Sequence, residues 1–109
     1  MALINVGKVL FYCPRDPDGF WINKTVANAL NQKDSEPMRA GFYIAIRRSR
    51  GVHKVDPTGK PEKDLALKYR QKAEETENAG YYRLATTLRE VANTYDKQAE
   101  RIIARYNTD

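Results

Sequence analysis

The residues of this chain best suited to chemistry are cations. Arg47, Arg48 and Arg50 fall within four positions, His53, Lys54 and Lys60 follow, and Arg39 lies about two helical turns upstream. Guanidinium and ammonium groups at this density neutralise phosphates, and arginine adds a bidentate fork for phosphate oxygens or guanine edges. The charge map isolates the same stretch. Residues 62–109 carry nine cations and nine carboxylates, and residues 1–38 carry four of each. The formal excess of +5 therefore lies in residues 39–60, where the six cations face Asp56 alone. The expected partner is a nucleic acid held mainly through phosphates by Arg39, Arg47, Arg48, Arg50, Lys54 and Lys60. An acidic protein partner, or pairing within the chain to Glu74, Glu75 and Glu77, would engage the same groups.

Other chemistries lack their parts. His53 is the single histidine and Cys13 the single cysteine, so one chain can form neither a disulfide nor a cysteine-based zinc site. The run DPTGKP at 56–61 lacks the upstream glycine and the hydroxyl residue after lysine that a phosphate-cradling loop needs. A Cys13–His53 nucleophile pair has no third group to orient it. Glu74 and Glu77 share a helix face but sit among Lys68, Arg70 and Lys72, as on a solvated surface. The residues thus read as non-enzymatic, with no catalytic residue, no metal and no cofactor.

The elements that must position the cations divide at Pro61. Residues 61–109 spell an antiparallel helical hairpin. Leu65, Tyr69, Ala73 and Thr76 recur at helical spacing in the first arm; Tyr81, Leu84, Leu88, Val91, Tyr95, Ala99, Ile102 and Tyr106 do so in the second. Pro61 suits a first helical turn, and Asn78-Ala79-Gly80 suits a left-handed cap. The second arm outruns the first by about nine residues, roughly 13 Å. Its distal part needs cover from the N-terminal half or from a second copy, and Tyr95, Ala99, Ile102 and Tyr106 are the interface residues for a homodimer through this helix. Tyr69, Ala73, Gly80, Tyr82, Ala85 and Ala92 also fall at the aromatic and small positions of a tetratricopeptide hairpin, which this segment resembles over about one repeat. No second copy of the repeat follows, so the resemblance implies hairpin geometry only.

Residues 1–60 read as a mixed αβ half. Residues 3–13 combine Ile4, Val6, Val9, Phe11 and Tyr12 and predict a strand. The run PRDPDG at 14–19 is a turn, and Ile22, Val26, Ala29 and Leu30 space out a short helix behind Phe20 and Trp21. Residues 35–51 support two assignments: a helix capped at Ser35 with Met38, Phe42, Ala45 and Ile46 on its buried face, or a buried strand over 42–46. In the first case the strand at 3–13 must pair with residues 52–55. The helical assignment also places helix, short turn and basic helix in the order of a helix-turn-helix reader.

The fold class expected is therefore mainly α with a minor β element (α+β): one domain over 1–109, with the C-terminal antiparallel hairpin packed on a small N-terminal αβ half. No apolar run is long enough to span a bilayer and the opening lacks the marks of a signal peptide, which predicts a cytoplasmic protein without membrane contact. The functional expectation is a small basic nucleic-acid-binding protein. Its alternative is a protein-interaction adaptor using the tyrosine-rich hairpin.

Overall fold

The computed structural model describes residues 2–51 and 53–107. They form five helices: α1 (Leu3–Leu10), α2 (Lys24–Asn31), α3 (Glu36–Ser49), α4 (Lys60–Asn78) and α5 (Tyr82–Tyr106). Among the described residues there is no strand, which corrects the α+β expectation and its αβ half. Residues 3–10 are helical, and the segment 42–46 lies inside α3. Of the strand partner expected at 52–55, Val52 lies outside the described residues and 53–55 are irregular.

The physical reason is at Gly7. A Cβ built there would stand 1.8 Å from the carbonyl oxygen of Met38, and one at Gly41 would stand 1.9 Å from that of Ile4. The two glycines let α1 and α3 cross antiparallel with their backbones in contact, a closeness that other side chains forbid. Tertiary contact thus overrides the β preference of Ile4, Val6 and Val9. The ring of Phe11, just past α1, meets Phe42 edge-on at 5.7 Å and ties this pair of helices to the core.

α4 and α5 form the antiparallel hairpin, turning at Gly80, whose φ of 95° suits glycine. The core gathers Val26 and Leu30 of α2, Phe42 and Ile46 of α3, Ala66, Tyr69 and Ala73 of α4, and Leu84, Leu88, Val91 and Tyr95 of α5. Polar contacts reach between elements to finish helix ends. Asn31 Oδ1 accepts from the backbone N–H groups of Arg83 (2.8 Å) and Leu84 (3.1 Å), so α2 caps the start of α5. The Trp21 indole donates to Thr76 Oγ1 at 2.9 Å, satisfying its partly buried N–H. α5 exceeds α4 by six residues, about 9 Å. That overhang is covered by the chain itself: Gly59 packs against Ala99 and Ile103, and Arg47 lies over the Tyr95 ring. None of the helices is long and apolar enough to cross a membrane.

Candidate nucleic-acid interface

The six cations singled out by charge do not form one surface. Arg39 turns inward along α3, where its Nη1 donates to the carbonyls of Leu30 (2.8 Å) and Gln32 (2.7 Å). It closes the C-terminus of α2, where unpaired carbonyls attract a cation. Arg47 places its guanidinium 4.8 Å from the centre of the Tyr95 ring and donates weakly to Gln98 Oε1 at 3.5 Å. Arg50 Nη2 donates to Glu62 Oε2 at 2.7 Å. These three are half-buried and engaged within the fold.

Arg48, Lys54 and Lys60 are exposed. Lys60 pairs with Asp64 one turn on at 2.9 Å, with both groups largely in water; the contact raises the lysine pKa and leaves its charge outward. The connection from α3 to α4 is shaped by Asp56, whose Oδ1 accepts from the Thr58 hydroxyl (2.6 Å) and N–H (2.9 Å). Those two bonds hold the Asp56 carboxyl below its usual pKa. Gly59 then enters α4 with φ 68°.

The contacts of Arg47, Arg50 and Gly59 bring together the last turn of α3, the 50–59 connection, the first turn of α4 and the distal part of α5. Residues 47–51, 53–64 and 97–107 thereby share one end of the molecule. Together they carry nine cations against Asp56, Glu62, Asp64 and Glu100, which equals the formal excess of the whole chain. Reading charge along the chain missed Lys63, Lys97 and Arg101, all exposed, because neighbouring acids cancel them in sequence. Their signal was the proximity of α5's far end to Gly59, which only the packing supplies. Arg105 sits in the same region with its guanidinium 5.9 Å from the Tyr106 ring.

Compared with protein-family models, curated proteins and solved structures, the chain matches none of them.

The four hairpin residues expected at a dimer seam separate into two groups. Tyr95 and Ala99 are buried within one chain, Tyr95 beside Tyr69 with ring centres 6.1 Å apart. Ile102 is half-buried and Tyr106 is exposed. Burial holds the Tyr95 phenol above its ordinary pKa, although nearby Arg47 and Arg50 act the other way. Cys13 is exposed after α1, His53 Nδ1 lies 3.2 Å from the Gly51 carbonyl oxygen, and no hydrogen bond joins the two residues. Among the described residues no cluster of three His, Cys, Asp or Glu is arranged to hold a metal ion.

Proposed function

We propose that the protein is a non-enzymatic nucleic-acid binder that takes the phosphate backbone on its basic end. The supporting observation is the convergence of the α3–α4 junction with the far end of α5, which sets Lys63, Lys97 and Arg101 at the same end of the molecule as Arg48, Lys54 and Lys60. Arg48, Lys54, Lys63 and Arg101 are the exposed groups that would reach phosphates, with Lys60, exposed but paired with Asp64, beside them. Arg47 and Arg50 act behind them, setting the positions of α5 and α4, while Arg39 closes α2 at the opposite end of α3. Cations near the C-termini of α3 and α5 also oppose the helix dipoles, so part of this density is structural in origin.

Binding of this kind is salt-dependent and weakly selective, with each phosphate contact contributing about 0.9 to the logarithmic salt slope on duplex DNA. Fluorescence anisotropy with duplex and single-stranded oligonucleotides over a range of salt tests it. Replacing Arg48, Lys54 and Lys63 together with alanine should weaken binding and flatten the slope by about 2 to 3. No binding at low salt, or an unchanged slope in the triple variant, rejects the reading.

The adaptor alternative loses much of its surface, since Tyr69 and Tyr95 are core residues and exposed Tyr82 and Tyr106 stand at opposite ends of α5. An apolar face is left open elsewhere, on α1.

A further inference from the structure

The apolar stripe of α5 runs further than the chain that covers it. Ala99 and Ile103 pack against Gly59 at the entry to α4. Seven residues beyond Ala99 the helix has turned to within about 20° of the same line, so Tyr106 continues that face about 10 Å further on. It lies past the Gly59 contact and is 51% exposed. Its place is nonetheless fixed. Asn107 finishes the helix behind it, with its backbone N–H (3.0 Å) and its side-chain amide (2.9 Å) both donating to the Ile103 carbonyl. Among the described residues other large apolar side chains stay exposed, Leu3 and Val9 of α1 included, but only Val55 and Tyr106 do so at the basic end.

We infer that the nucleic acid taken at this end is single-stranded and that Tyr106 is the platform on which one of its bases stacks. The inference rests on the nucleic-acid reading and deepens it by naming the form of the strand. Cations flank the ring. Lys97, Arg101 and Arg105 recur every four residues as an exposed row on α5, and the angle between row and ring about the helix axis falls from about 180° at Lys97 to about 100° at Arg105. The Arg105 guanidinium then lies 5.9 Å from the ring centre. In the other direction the ring shares the face that meets Gly59, which joins the connection bearing Lys54 to the first turn of α4 bearing Lys63. The last carbonyls of α5 carry partial negative charge, so an uncharged base suits this helix end better than a phosphate does. A duplex offers phosphates at higher density but keeps its bases in the stack, and can therefore use the cations without the ring. A second copy of the chain fits less well. Two-fold pairing through Tyr106 would set one basic end against the other, and a single exposed ring is a small part of the roughly 800 Å² per partner that a stable interface buries.

Fluorescence anisotropy at low salt tests the inference with three probes: a single strand of about 12 nucleotides, its duplex, and a wholly abasic strand of the same length. The single strand should bind more tightly than the duplex despite its lower charge density, and about fivefold or more tightly than the abasic strand. Tyr106→Ala should weaken the intact single strand by a similar factor and leave the other two probes unaffected. Its salt slope should stay that of the wild type, since no phosphate contact is lost. Tyr106→Phe should bind as the wild type does, because the ring stacks and the hydroxyl does not. Both changes fall at an exposed position and should leave the circular dichroism spectrum unaltered. A single strand bound no better than the duplex, or a Tyr106→Ala variant equal to the wild type, overturns the inference and leaves phosphate binding standing. No oligonucleotide bound at low salt rejects the nucleic-acid reading and the inference with it. Binding to anionic vesicles alone, lost in Tyr106→Ala, would assign this end to a membrane surface and overturn both.

Discussion

Arg50 and Glu62 form an ion pair at 2.7 Å across the junction of α3 and α4, with the glutamate side chain 1% exposed. Among the described residues, Arg50 Nη1, Arg47 Nη1 and Glu62 Oε1 are buried beside it with no hydrogen-bond partner. The pair fixes where the basic connection begins and ends. It is one of the few places where this small core holds charge.

Removing one partner strands the other. Glu62→Ala should destabilise the fold by about 3 kcal/mol, whereas Arg50→Met with Glu62→Leu should be close to neutral. Urea denaturation of the two variants measures the difference. A single substitution no more costly than the double one would show that the pair contributes little.

The helix crossing makes a sharper demand. Gly7→Ala forces a methyl group into the Met38 carbonyl, so α1 must lift from α3, at about 3 kcal/mol. Gly80→Ala meets no atom within 4 Å and costs only the left-handed backbone, about 1 to 2 kcal/mol. Hydrogen exchange separates the two mechanisms: the first variant loses protection across α1, while the second loses it at the hairpin turn.

Asn31→Ala removes the acceptor for two N–H groups at the start of α5. A loss of about 1 kcal/mol is expected in chemical denaturation, the ordinary worth of a helix cap. Asn31→Asp should keep most of it, since a carboxylate accepts the same bonds and suits a helix N-terminus.

At high pH the buried phenols decide stability. Burial raises the Tyr69 pKa from 10.0 to about 12, with Tyr95 adding to the shift. The folded state therefore retains a proton that the unfolded chain releases. This contribution is complete below pH 10 and disappears as pH rises toward 12. Tyr69→Phe should flatten that decline in thermal melts taken across the interval. An unaltered slope would place the alkaline transition elsewhere.

The hairpin was legible in sequence because Tyr69, Ala73, Leu84, Leu88 and Val91 face one another in a pattern that local spacing reveals. The N-terminal element was not. Leu3, Gly7, Leu10 and Phe11 already have helical spacing, but Gly7 reads as a weak point in any element until α3 is seen against it. Charge counting along the chain found the 47–60 part of the basic end. It could not tell that Arg39, Arg47 and Arg50 are tied down, because their partners Leu30, Gln98 and Glu62 are set by packing. Nor could it find Lys63 and Arg101, which reach that end only through the pairing of α4 with α5.

The cap that Asn31 supplies to α5 lies 52 positions in sequence from Arg83, whose N–H donates to it. Nothing in residues 60–107 replaces it, since Tyr81 offers no side-chain cap of its own. A fragment beginning at Lys60 would thus start its longest helix with a frayed first turn, and lose the Trp21 bond to Thr76 as well. Cutting this protein at its most obvious seam should yield two pieces that associate to regain structure, so complementation between fragments would be a natural assay of its cohesion.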